Sequence, residues 1–165
     1  MKISVAYAFT LAVAFGSALP TKELHSRDDP DFVPVTFVDA PSKSFTCGST
    51  TYSETDVYDG VAWGTILQDA GQTKGMAKYP HQFNNGEDLN LSSKCKAGDP
   101  DMQEYPLKQG TYYNGGNQNK KQGPDRVVYL HKQGETDPVE NLPQATFCGV
   151  MTHTGASDND FVLCS

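Results

Sequence analysis

The sequence predicts an α+β fold in which one α-helix packs on a twisted antiparallel β-sheet, in a single disulfide-stabilised domain. One segment of the N-terminal half combines a helix-capping signal with an apolar stripe at helical spacing. After residue 75, short apolar runs alternate with turn-forming residues. Four cysteines accompany an N-terminal export signal, which favours two disulfides. A single helix followed by several short strands is typical of α+β domains.

The N-terminus has the pattern of a secretory signal peptide over residues 1–18. Residues 3–18 are almost wholly apolar and end in small residues, yet this run is shorter than the roughly 20 residues that a membrane span requires. We therefore expect a secreted, extracellular protein with no membrane segment. Residues 19–44, rich in proline and acidic side chains, are predicted to be an extended leader or pro-segment, although residues 35–38 could add an edge strand. The compact domain is predicted to span residues 45–165.

The predicted helix begins near Glu54. Ser53 and Asp56 have the three-residue spacing of a capping box, in which each side chain bonds the backbone N–H of the other residue. Apolar residues then recur at helical spacing, and Gly71 suits the position just after the helix end. Trp63 lies beside the apolar stripe and is expected in the core.

Five short strands are predicted after the helix. Each is bounded by clusters of glycine, asparagine, aspartate or proline, and together they are expected to form one sheet with the helix on one face. They cover residues 78–83, 102–107, 126–131, 146–152 and 160–164.

The charge balance limits which partners the protein can bind. The chain has a net charge of −7 and an isoelectric point near 4.9. Binding a long polyanion over a broad surface rests on many lysine and arginine contacts to phosphate, which this composition does not favour. A nucleic-acid enzyme of this charge needs a small, locally positive pocket.

The four cysteines are expected to form two disulfides in an oxidising compartment. They are Cys47, Cys95, Cys148 and Cys164, and three pairings are possible from composition alone. A zinc site is the competing interpretation. No C-x-x-C or C-x-x-H spacing occurs, so we predict no metal site.

Five candidate catalytic residues fall on four predicted strands or at their ends: Tyr79, His81, Glu104, Arg126 and His153. Each alone has a plainer explanation, such as a salt bridge or a surface histidine. Strands that pair in one sheet can bring them onto one surface, since alternate residues share a face. Together they offer an acid, a base and a fixed cation, which suits cleavage of RNA by its own 2′-hydroxyl. DNA lacks that hydroxyl, so this chemistry selects RNA.

Four segments resemble motifs of the secreted fungal guanyl-preferring ribonucleases, a superfamily that also includes the ribotoxins. They occur in the same order along residues 45–165 and end near the same C-terminal cysteine. The segments are YPHQFNN at 79–85, EYPL at 104–107, GPDRVVY at 123–129 and THTGAS at 152–157.

The resemblance implies a role for each candidate catalytic residue. Glu104 is expected to be the general base, assisted by His81, which also helps to bind the phosphate. His153 is expected to be the general acid. Arg126 and Tyr79 are expected to contact the phosphate, and the product is a 2′,3′-cyclic phosphate that is later hydrolysed. The resemblance implies no metal and no cofactor.

The resemblance also implies the residues that surround the substrate. Phe161 is expected to lie beside the reacting phosphate. Asn84, Asn85, Glu87 and the backbone at Asn159 fall where the family holds guanine, with the glutamate accepting hydrogen bonds from the base. The partner is then single-stranded RNA, bound by a monomer, and the sequence identifies no protein inhibitor.

The resemblance also implies the disulfide pairing, Cys47 with Cys164 and Cys95 with Cys148. The sequence departs from the family pattern at two positions. Gly86 stands where guanine-specific members often place a stacking tyrosine, so guanine preference is expected to be weaker. Thr51 replaces a cysteine of some small members. Separately, Asn90 opens an Asn-Leu-Ser sequon and is a candidate for glycosylation.

Two alternative functions remain open at this stage. A ribotoxin-like enzyme would cut one ribosomal loop and would need long lysine-rich loops for docking, whereas the loops here are short and the chain is acidic. A secreted RNA-binding effector on a ribonuclease scaffold would be marked by loss of catalytic residues, and none of the central set is lost.

Overall fold

The computed structural model describes residues 29–116 and 122–165, so the predicted signal peptide lies outside the described residues. Among the described residues, no helix has the length and apolar character needed to cross a membrane. The elements are β1 (Thr36–Val38), β2 (Phe45–Cys47), β3 (Thr50–Tyr52), α1 (Glu54–Asp69), β4 (His81–Gln82), β5 (Met102–Pro106), β6 (Asp125–Leu130), β7 (Gln144–Thr152) and β8 (Val162–Leu163).

The predicted helix α1 is confirmed at both ends. Ser53 and Asp56 form a reciprocal capping box. At the other end, Gly71 takes a φ of +64°, and its N–H donates to the Gln68 carbonyl while the next N–H donates to the Leu67 carbonyl. These two bonds form a Schellman motif, which requires a residue such as glycine at the left-handed position.

One helix glycine permits close packing on the sheet. A Cβ added at Gly64 would lie 2.7 Å from the hydroxyl oxygen of Tyr129 on β6. Glycine lowers helix propensity by roughly 1 kcal/mol relative to alanine, and here the missing side chain leaves room for a buried tyrosine.

The main sheet has the strand order β1-β7-β6-β5-β4, with β8 also paired to β7. All pairs in it are antiparallel except β1 with β7, which is parallel. The predicted α+β class with a mainly antiparallel sheet is therefore confirmed. The hairpin of β2 and β3 was not among the predicted strands, because strands of three residues are too short to show an alternating pattern.

Two apolar clusters lie on opposite faces of the sheet. The larger one packs beneath α1, where Trp63 is fully buried; it includes Val57, Val61, Trp63 and Leu67 from the helix and Tyr105, Val127, Tyr129 and Val150 from the sheet. The smaller one consists of Phe83, Cys95, Met102, Val128, Cys148 and Met151.

Two disulfides close the domain, and they are the two pairings that the resemblance implies. Cys47 bonds to Cys164, and Cys95 bonds to Cys148. The first joins the β2–β3 hairpin to the C-terminus. The second fixes the loop that follows β4 to strand β7.

Residues 29–38, within the predicted leader, pack onto the domain. Phe32 stacks near Trp63, with ring centroids 6.3 Å apart, and Val35 is buried. Asp29 forms an ion pair with Lys74. The edge strand that the sequence allowed at residues 35–38 is present as β1 (Thr36–Val38), so this part of the segment adds to both the sheet and the core.

Candidate active site

The strand register places three candidate catalytic residues on one face of the sheet. His81 pairs with Glu104 across β4 and β5, Glu104 pairs with Val128 on β6, and Arg126 lies two residues before Val128. Directly paired residues and alternate residues of a strand share a face. The intervening Val127 packs in the core beneath α1. The three polar side chains therefore lie on the face opposite the helix.

His153 joins the same face from the end of β7. Met151 pairs with Arg126 and belongs to the smaller apolar cluster on the face opposite the helix. His153 follows Met151 by two residues, and its backbone N–H donates to the Pro124 carbonyl (3.1 Å) just before β6. The proposed acid and base are thus on one side of the sheet.

Glu104 and His81 are in close contact. His81 Nε2 lies 2.6 Å from Glu104 Oε1, and the side chains are 42% and 8% exposed respectively. Within the described residues, neither this Nε2 nor Glu104 Oε2 forms a hydrogen bond of normal geometry. A buried carboxylate with an unpaired oxygen is costly unless a ligand satisfies it. The arrangement suits a group that accepts a proton from a bound substrate.

Arg126 is fixed by its neighbours. It is 2% exposed, its Nε donates to the Tyr79 hydroxyl (3.1 Å), and its Nη1 donates to the carbonyls of Gly123 (2.8 Å) and Asp125 (2.9 Å). The guanidinium carbon also lies 4.9 Å from the centroid of the Tyr79 ring. These contacts hold the planar guanidinium in one orientation.

Tyr79 connects Arg126 to His81. Its ring is edge-on to His81, with centroids 4.5 Å apart. Burial raises the pKa of the Tyr79 phenol, and the Arg126 charge only partly offsets this effect. The phenol therefore stays neutral and can donate a hydrogen bond to an anion.

His153 is held by one hydrogen bond and one ring contact. Its Nδ1 lies 2.8 Å from the Asp160 carbonyl oxygen, which can only accept, so Nδ1 carries the proton in that bond and Nε2 is left for chemistry. The imidazole stacks on Phe161, with centroids 3.8 Å apart and planes at 26°. Phe161 in turn meets Phe83 edge-on, which ties the loop to the smaller apolar cluster.

Lys108 is a further cation near the site. The sequence interpretation did not include it among the site residues. Burial and the nearby Arg126 charge lower the pKa of its ammonium group. It lines a groove of about 390 Å³ together with Asp125 and Thr154. Its place in the motif EYPLK, just after β5, is the sequence signal that could have indicated it.

A second groove, of about 630 Å³, adjoins the candidate catalytic residues. We call it the base-side groove, because it includes Glu87 of the predicted guanine-binding set and Phe161, which contacts His153. Its lining consists of Gly86, Glu87, Gly155, Ala156, Ser157, Asp160, Phe161 and Val162.

The other predicted base-binding residues do not line this groove. Asn85 is buried, has a φ of +51°, and uses its side-chain amide to bond both backbone groups of Leu89. It therefore shapes the loop. Asn84 is exposed, and its carbonyl accepts from the Gly98 N–H. Asn159 is exposed beside the lining residue Asp160.

The described residues contain no group of three or more His, Cys, Asp or Glu side chains arranged to hold a metal ion. The functional groups found at the site are instead carboxylate, imidazole, guanidinium and phenol. These are groups that transfer protons or stabilise a phosphate.

Comparison with known proteins agrees with this chemistry. A family model described as ribonuclease matches residues 40–165. The chain is 37% identical over 129 residues to guanyl-specific ribonuclease C2 of Aspergillus clavatus, covering 78% of this chain and 82% of that protein. It is 39% identical over 122 residues to guanyl-specific ribonuclease T1 of Aspergillus oryzae, covering 73% and 78%. It is 40% identical over 123 residues to guanyl-specific ribonuclease U1 of Ustilago sphaerogena, covering 74% and 95%. The chain therefore belongs to the same ribonuclease family as these fungal enzymes.

Proposed function

We propose that the protein is a metal-independent endoribonuclease that cleaves single-stranded RNA on the 3′ side of guanosine. The observation that carries the proposal is the shared face of Glu104, Arg126 and His153, with one Glu104 oxygen unpaired. The relatives named guanyl-specific ribonucleases support the base preference.

The first step is attack of a ribose on its own phosphate. Glu104 accepts the proton of the 2′-hydroxyl, and the 2′-oxygen forms a bond to phosphorus. His81, 2.6 Å from the carboxylate, helps to hold it and adds positive charge near the phosphate when protonated. The bond from phosphorus to the 5′-oxygen breaks, and His153 Nε2 supplies the proton to that leaving oxygen.

The second step reverses these roles. The product of the first step is a 2′,3′-cyclic phosphate. His153 Nε2, which lost its proton in the first step, takes a proton from a water molecule as the water oxygen forms a bond to phosphorus. The bond from phosphorus to the 2′-oxygen breaks, and Glu104 returns its proton to that 2′-oxygen. The products are a 3′-phosphate and a regenerated enzyme.

Arg126 and Tyr79 stabilise the charge that develops on the phosphate oxygens. The guanidinium is already fixed by three hydrogen bonds, so little reorganisation is needed when the charge develops. Preorganised donors in a site with little water contribute strongly to catalysis. The positive charges at this site also form the small, locally positive pocket that a nucleic-acid enzyme with a net charge of −7 needs.

Guanine preference is proposed to arise in the base-side groove. Guanine presents a ring N–H and an amino group along one edge, and the Glu87 carboxylate can accept hydrogen bonds from both. Asn84, Asn85 and Asn159 are proposed to contribute through the loop backbone around the groove. Because Gly86 leaves one side open, adenosine is expected to be cleaved more slowly rather than rejected.

We further propose that the enzyme acts outside the cell as a monomer. The apolar N-terminus and the two disulfides support export, since disulfides persist in oxidising compartments.

A digest of the dinucleotides GpN, ApN, CpN and UpN in the presence of a chelator tests the proposal. We expect cyclic phosphate from GpN first and from ApN more slowly. Equal rates on all four substrates would contradict the base preference, and loss of activity in chelator would contradict metal independence. Ribosomes that yield one discrete fragment while free RNA survives would instead favour the ribotoxin-like alternative.

A further inference from the structure

An apolar groove of about 310 Å³ lies across strand β8 from the base-side groove. Val162 lines the base-side groove, whereas the next residue, Leu163, lines this one. We call it the Phe45–Phe147 groove, after the two aromatic residues in its wall, whose ring centroids are 5.5 Å apart. Asn90 is also part of its lining.

Asn90 is exposed and is held in place beside this groove. The next residue, Leu91, packs against the smaller apolar cluster, and the Ser92 N–H donates to the Cys148 carbonyl (2.9 Å). The Cys95–Cys148 disulfide anchors the same loop to β7. The sequon residue thus has a fixed position at the groove.

We propose that Asn90 carries an N-linked glycan whose first sugar units cover the Phe45–Phe147 groove. The proposal rests on the proposed export of the protein. In the modification, Asn90 Nδ2 forms a bond to the anomeric carbon of a lipid-linked oligosaccharide. The lipid pyrophosphate leaves with the electron pair of the broken bond, and Nδ2 loses one proton.

The groove offers the surfaces that a sugar needs. Leu163 is 40% exposed and Phe147 is half-buried, so an unmodified chain leaves apolar surface in water. A pyranose ring presents C–H groups that pack on such surfaces, while its hydroxyls reach polar groups such as those of Ser42 and Lys43. Ligand sites combine mainly apolar walls with a few polar groups in this way.

The modification is tested by secreting the full chain from a eukaryotic host and measuring its intact mass before and after peptide-N-glycosidase. The matched pair is Ser92→Thr, which keeps the sequon, and Ser92→Ala, which removes it while leaving Asn90 in place. We expect one glycan on the wild-type protein and on Ser92→Thr, and none on Ser92→Ala or Asn90→Gln. A secreted wild-type protein without a glycan overturns the proposal. If the wild-type protein is not secreted, the proposed export is contradicted. The glycan proposal, which rests on export, then fails with it.

The position of the sugar is tested by hydrogen exchange on the Ser92→Thr and Ser92→Ala proteins. We expect slower exchange at residues 40–45 and 147–150 in the glycosylated form. Equal exchange in both forms overturns the claim that the glycan covers the groove. Cleavage of GpN is expected to be the same in both proteins, because β8 separates this groove from the base-side groove.

Discussion

His153 stacks on Phe161 at a centroid distance of 3.8 Å while its Nδ1 bonds the Asp160 carbonyl. Two neighbouring residues of one loop thus fix the plane and the tautomer of the proposed general acid. This loop follows the turn after β7, so its position depends on β8 pairing with the end of β7.

Phe161→Leu is expected to lower kcat by up to about tenfold, because an aromatic pair contributes about 0.5–1.5 kcal/mol beyond its buried area. Phe161→Tyr keeps the ring and is the matched control, with near-wild-type kcat expected. The measurement is the kcat of GpN cleavage across a range of pH, since a displaced general acid also changes how the rate depends on pH. An unchanged kcat and profile in the leucine variant would show that the stacking does not position the acid.

Glu104→Gln and His153→Gln are expected to lower kcat/KM by about 10²–10⁴-fold, the usual contribution of general acid–base catalysis. Each variant keeps the approximate shape of the side chain, so the thermal midpoint should indicate a folded protein. Gln103→Ala, on the opposite side of the same strand, serves as the control. Wild-type-like cleavage by either variant would rule out the assigned role.

Gly86→Tyr is expected to strengthen guanine binding. A Cβ added at Gly86 meets no atom within 4 Å, so the position accepts a side chain that could stack on the base. Such stacking is worth about 1–3 kcal/mol per base, so we expect KM for GpN to fall at least about fivefold while Gly86→Ala changes little. Dinucleotide kinetics check this, and an equal KM in the tyrosine and alanine variants would show that the ring does not reach the base.

His131 joins the helix to the sheet. Its side chain is fully buried, its Nε2 lies 2.8 Å from Asp69 Oδ1, and its Nδ1 lies 2.7 Å from the Gln144 carbonyl oxygen. Asp69→Ala leaves the buried His131 Nε2 without its partner, so we expect the free energy of unfolding to fall by about 1–3 kcal/mol. Urea denaturation measures this, with exposed Lys132→Gln as control. If the free energy of unfolding falls no more than in the control, the contact between His131 and Asp69 adds no stability.

Asp56 is expected to make the folded protein less stable as the pH falls into the acidic range. Burial raises the pKa of its carboxyl. Hydrogen bonds from the Gly110 N–H and from Ser53 together lower this pKa by more than burial raises it, so the pKa lies below its ordinary value of 3.8. A carboxyl with a lowered folded-state pKa stabilises the fold above its unfolded pKa, and this stabilisation is lost as the pH falls through the folded pKa.

Asp56→Asn should therefore lower the thermal midpoint at neutral pH, and its difference from the wild type should shrink as the pH falls below 3.8 and through the lowered pKa of the wild-type carboxyl. Glu54→Gln, also in the first helical turn, is the control. A difference that stays constant from about pH 7 to pH 3 would contradict the role of the ionised carboxylate.

The sequence by itself determined the features that depend on neighbouring residues. The capping box at Ser53 and Asp56, the glycine at the helix end and the α+β order of elements follow from local spacing. The four family motifs also indicated the candidate catalytic set and, through the resemblance, the disulfide pairs.

Only the tertiary structure decided how distant segments meet. A one-residue change of register moves every side chain of a strand to the other face, so the shared face of Glu104, Arg126 and His153 depends on the pairing of β5, β6 and β7. The parallel pairing of β1 with β7 likewise joins segments that are far apart in the sequence. The side-chain amide of Asn85 bonds the backbone of Leu89 in its own loop, because burial of a polar side chain requires a partner within the fold.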